Sequence, residues 1–144
     1  MLLMLMASVT AGAQAGLKID ELFQGRIIPQ ERMMETRVRG KSIAKYQLTY
    51  YRSLRLNVTD KEAGELRQLL GQDTERSIDW HSSRKNPHRW DTWICKMQMP
   101  SAGGKNRFLC YKEEWDKKHE QCEVTVIYME GTVSSLKDLE QILK

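Results

Sequence analysis

A chain of 144 residues and 16.8 kDa has the length of one domain, which excludes a large multidomain enzyme, a βα barrel and a receptor with several membrane spans. Hydrophobic residues at 40% and charged residues at 29% fit a globular domain and argue against a disordered chain. The balance of 23 Lys+Arg against 19 Asp+Glu leaves +4, interspersed with acids, which argues against the concentrated basic face of a nucleic-acid binder.

Residues 1–15, MLLMLMASVTAGAQA, are apolar up to Val9 apart from Ser8. They end in small residues, with Ala13 and Ala15 forming an A-x-A cleavage site. That pattern predicts a secretory signal peptide, too short for a membrane span. No Cys sits at the cleavage site to carry a lipid anchor. The remainder, residues 16–144, has no internal repeat or linker and reads as a single α+β domain.

Leu17, Ile19, Leu22 and Phe23 predict a short opening helix, ended by Gly25 with Pro29 beyond it. Residues 33–41 alternate weakly and read as a strand. Tyr46, Leu48, Tyr50, Leu54, Leu56 and Val58 alternate with polar residues, so 46–58 predicts a half-buried antiparallel strand interrupted only by Arg52. Thr59 and Glu62 make a capping box for a helix with Ala63, Leu66, Leu69 and Leu70 on one face, ended by Gly71. Residues 72–90 are polar and read as a long loop, with Asn86-Pro87 as a turn.

Trp93, Cys95, Met97 and Met99 give a third strand up to Pro100. After a turn at 102–105, residues 107–112 and 122–130 read as two more strands around a charged loop, 113–121. Leu136, Leu139, Ile142 and Leu143 predict a C-terminal helix capped by Ser134 or Ser135. The expected order is αββαβββα: an antiparallel sheet of about five strands, with two to three amphipathic helices on one face or at the edges.

Four segments in this order, LKIDELFQGR (17–26), YQLTYYRSL (46–54), NRFLCY (106–111) and VIYMEG (126–131), resemble a family of small secreted Bacteroidota proteins of unknown function. The resemblance implies an exported bacterial protein with no known enzyme activity. It supplies no catalytic residue.

Three cysteines in an oxidising compartment would leave one odd. If the last two strands pair around a turn centred on Asp116, Cys110 faces Cys122 and a cross-strand disulfide follows. The alternative is three buried, reduced thiols. A thiol-dependent or hydrolytic enzyme would need Cys95 or Cys110 beside one of the loop histidines, His81, His88 or His119. The spacing His81-x6-His88-x6-Cys95 matches no zinc motif, and no phosphate loop, G-x-S-x-G or H-E-x-x-H is present. No cofactor is expected.

The stretch WHSSRKNPHRWDTW, 80–93, mixes tryptophans with Arg84, Lys85 and Arg89. Aromatic planes beside cations stack on sugars or anchor protein partners. Trp80, Arg84, Arg89 and Trp90 are therefore the candidate binding residues; the alternative is a basic loop whose end tryptophans fold onto the core, with Trp93 continuing a buried strand face that Trp90 starts. The sequence points to a small exported, non-enzymatic module that binds or structurally supports another component of the envelope, a protein or a glycan.

Overall fold

The computed structural model describes residues 17–83, 92–116, 118 and 120–143. Residues 1–15, expected to be a signal peptide, and Arg84, Arg89 and Trp90 lie outside these residues. In chain order the elements are α1 (Asp20–Phe23), a 3₁₀ turn (Gln30–Arg32), β1 (Met34–Arg39), α2 (Lys41–Ala44), β2 (Leu48–Val58) and α3 (Asp60–Thr74). Then follow β3 (Ser77–Ser83), β4 (Thr92–Met97), β5 (Asn106–Asp116), β6 (Gln121–Gly131) and α4 (Leu136–Leu143). The class is α+β. The sheet has six strands rather than five, in the order β1-β2-β6-β5-β4-β3, and every neighbouring pair is antiparallel.

Local chemistry sets the helix ends. Gly25 takes φ +73° after α1. Its N–H donates to the Leu22 carbonyl and the Arg26 N–H to Glu21, both at 3.0 Å, which is a Schellman closure. The capping box forms as expected: the Glu62 N–H donates to Thr59 Oγ1 at 3.2 Å and the Thr59 N–H to Glu62 Oε1 at 3.0 Å. α3 does not stop at Gly71 but runs to Thr74, because its last turn carries Leu70 and Asp73 into the core. Buried Asp73 accepts the N–H groups of Lys18 (2.7 Å) and Ile19 (2.9 Å), tying the opening segment to α3. Desolvation raises its carboxyl, and those two hydrogen bonds oppose the rise.

Both faces of the sheet are covered, not one. On the first face α1 and α3 lay Leu22, Phe23, Ala63, Leu66 and Leu70 over Leu54, Leu56, Leu109, Tyr111, Val124 and Val126. On the second, Ile43 of α2 with Leu136 and Leu139 of α4 meet Leu48, Ile94, Phe108 and Met129. Successive side chains alternate between faces, so central strands supply both cores. Arg52 falls on the first face, as the β2 alternation requires, and is buried. It is held by Glu35, donates to the Phe23 carbonyl at 3.2 Å, and lies 4.8 Å over the Phe23 ring.

The expected register of the last hairpin is corrected. Trp115 pairs with Cys122 and Asp116 with Gln121, which centres the turn between positions 118 and 119 rather than on Asp116. Cys110 therefore faces Ile127, and Phe108 faces Met129. The odd offset puts Cys110 and Cys122 on opposite faces of the sheet, so the Cys110–Cys122 disulfide is not formed.

Candidate functional site

β3 is the larger correction and the main feature of the surface. The stretch 77–83, expected to be loop, is a strand that among the described residues is paired on one side only, with β4. All its residues after Ser77 are exposed. Two are large and apolar: Ile78 is 58% and Trp80 51% accessible. Trp80 pairs with Cys95 and Ser82 with Trp93, so Trp80 lies on the first face, diagonal to buried Trp93. Of the four candidate binding residues, the structure thus places Trp80 on an open sheet edge. Trp93 continues the buried face of β4, as expected.

On the second face of the same edge, His81 Nδ1 is 2.9 Å from Glu140 Oε1 of α4, and its Nε2 lies 3.8 Å from Asp79. The hydrogen bond to Glu140, with the Glu140 and Asp79 charges, raises the imidazole above its ordinary value. The contact clasps edge to helix.

The thiols are placed where ionisation is costly. Cys95 is buried beside Met97, with Sγ 3.6 Å from the Met97 Sδ, and burial pushes its thiol up. Burial pushes the Cys110 thiol up to about 11. A nucleophilic Cys needs its pKa lowered by a positioned base or positive charge. His81 and Cys110 share a row across the second face, but Ile94 stands between them, pairing with both. His88 and His119 lie outside the described residues. No group of three or more His, Cys, Asp or Glu that could hold a metal occurs among the described residues.

Sequence reasoning ended β5 at Lys112 and left Glu113 in a charged loop. In the structure Glu113 is buried on the first face. It accepts from Arg67 Nε at 2.7 Å and from the Tyr111 hydroxyl at 2.5 Å, and its Oε2 has no hydrogen-bond partner among the described residues. The alternation Arg107, Leu109, Tyr111, Glu113, Trp115 was the available signal. Beyond it an open groove of about 510 Å³ is lined by Asn57, Glu114, Trp115, Asp116, Lys118, Gln121 and Glu123. Its wall is mostly polar, unlike the largely apolar pockets that enclose small ligands.

The class these features define is a small α+β domain whose antiparallel sheet is covered on both faces and, among the described residues, open at both edges. The chain belongs to the DUF6108 family, a family of unknown function, which it matches over residues 6–143. No curated protein and no solved structure matches it. No helix among the described residues is long and apolar enough to cross a membrane.

Proposed function

We propose that this protein is an exported, non-enzymatic interaction module of the bacterial envelope, and that it takes an extended segment of an envelope protein along the β3 edge. The observation that carries the reading is the edge itself: a strand with one neighbour that presents Ile78 and Trp80 to solvent. An edge strand offers a row of unpaired N–H and C=O groups, and a partner strand gains affinity from them and specificity from alternate side chains. Exposed Trp is an economical anchor, with a large apolar area and few rotamers. The raised thiols of Cys95 and Cys110 support binding over thiol catalysis. The apolar residues 1–9 and the A-x-A at 13–15 support export.

The test uses a photo-crosslinking amino acid at Ser82, with the same group at Lys61 on α3 as control, in cells making the full chain. A partner adduct at 82 and not at 61, abolished by Trp80→Ala with Ile78→Ser, is the expected result. An adduct that survives the double substitution, or arises equally from 61, overturns the edge as the site. An intact mass beginning at Gly16 is expected for the exported protein, and one beginning at Met1 removes export.

A further inference from the structure

Among the described residues β1, at the other end of the sheet, is also paired on one side only. Its sequence, Met34-Glu35-Thr36-Arg37-Val38, is complementary to itself about Thr36. Pairing with β2 sets Glu35 opposite Leu54 and Arg37 opposite Arg52, which puts both on the first face. Met34, Thr36 and Val38 then lie on the second face, with Met34 70% exposed and Val38 partly buried.

We propose that β1 pairs antiparallel with β1 of a second copy of this chain, about a twofold axis at Thr36, joining the two six-stranded sheets into one. In that register Glu35 faces Arg37 of the other copy twice, on the first face. Met34 faces Val38 twice, on the second. Thr36 faces Thr36. Cross-strand pairs of opposite charge and of apolar residues are the ones that stabilise antiparallel ladders. The neighbouring registers are penalised. Centring on Arg37 sets two arginines against each other between its two Glu35–Arg39 pairs and leaves Met34 facing Gly40, without an apolar pair, and centring on Glu35 sets two carboxylates against each other. An offset of one residue joins opposite faces and lays Val38 against Glu35.

The atoms for the new contacts are in place. Among the described residues Arg37 donates through Nε, and Glu35 accepts from Arg37 and Arg52 through Oε1 alone. That leaves the Arg37 Nη pair and Glu35 Oε2 for the second copy. Charge on an edge strand ordinarily repels other strands. Here both signs sit symmetrically about one residue, so the same charges that refuse a foreign strand accept a copy. The twofold interface uses the same patch from both chains and closes, leaving β3 open on each side of the dimer. The proposal is independent of the β3 reading.

Sedimentation of the purified, naturally processed protein over about two decades of concentration reads the association. A dimer is expected, weakened about tenfold or more by Arg37→Glu, which sets like charges opposite each other twice. Glu35→Arg should weaken it likewise. Equimolar mixing of the two variants should restore a dimer, because each Glu then meets an Arg. Since Glu35 also holds buried Arg52, a second variant leaves that pair intact. Thr36→Cys should give a disulfide-linked dimer, because directly opposed Cα atoms about 4.5–5.5 Å apart suit a disulfide. Lys61→Cys should not. A wild-type monomer with no Thr36→Cys crosslink above the Lys61→Cys control overturns the proposal. So does a dimer indifferent to Arg37→Glu.

Discussion

At the scale of single residues, Gly131 is decided by space. A Cβ there would lie 2.2 Å from the Gln47 carbonyl oxygen and 2.9 Å from the Leu48 Cα, both backbone atoms that cannot swing aside. The close approach lets the Thr132 N–H reach the Gln47 carbonyl at 2.9 Å, closing the junction between β6 and the start of β2. Gly131→Ala must push the two strands apart and should cost about 1–3 kcal/mol. A denaturant melt with an unchanged midpoint would refute this account. Arg52 and Glu113 are single residues of another kind: charges on buried sheet faces. Each is tolerated because a specific partner reaches it, Glu35 and the Phe23 carbonyl for the first, Arg67 and the Tyr111 hydroxyl for the second. Removing one member would strand a buried charge, which is why such positions break an apolar pattern without breaking the strand.

At the scale of elements, the start of α3 combines two contributions that can be separated. Thr59 caps the helix, and Glu62 closes the box while pairing with Arg32 Nη1 at 2.7 Å and Nη2 at 2.8 Å. The Arg32 hydrogen bond, with the Thr59 N–H, holds the Glu62 carboxyl at about 2 against its ordinary 4.5. A carboxyl lowered in the folded state stabilises fully above its unfolded value and loses that contribution as pH falls toward the folded one. Glu62→Gln keeps the capping geometry but removes the charge. It should therefore destabilise by no more than about 1 kcal/mol at neutral pH, the scale of an exposed pair. That difference should shrink as pH drops below about 4.5. Thr59→Ala should cost about 1 kcal/mol at every pH, because a hydroxyl does not titrate. Melts of the two variants from pH 7 to about 2.5 check both, and a Glu62→Gln deficit that persists at the acid end contradicts the ion-pair origin.

What was legible in the sequence divides along the same physical line. The capping box, the glycine after α1 and the alternation of β2 are local signals, and the elements follow them. β3 was not legible as a strand because an edge strand exposed beyond Ser77 has no apolar period to read, although Ile78 and Trp80 do recur two residues apart. The reach of β5 past Lys112 was hidden because the neutralising partner, Arg67, sits on a helix 46 residues away. The hairpin register failed with it: stopping β5 early moved the inferred turn and flipped Cys110 to the wrong face. Of the candidate binding residues, Trp80 was singled out from composition, but its exposure on an edge strand is a fact of the pairing.

For the whole molecule, stability should follow position in the sheet. β2, β6 and β5 are each flanked on both sides and carry buried residues of both cores, whereas β1 and β3 end the sheet with exposed residues. Strands open locally in order of how much buried surface and how many paired neighbours hold them. Amide exchange should therefore be slowest across 48–58, 106–116 and 121–131, and faster in 34–39 and 77–83. The two edges should then respond separately. Raising protein concentration should slow exchange in 34–39 alone if β1 pairs with a second copy. Adding the partner captured at position 82 should slow exchange in 77–83 alone. Exchange in which 34–39 is as protected as 121–131 at the lowest measurable concentration would contradict the open β1 edge on which the twofold pairing rests. Equal protection of 77–83 without partner would do the same for the β3 edge, because an edge already satisfied within one chain has no N–H row left to offer.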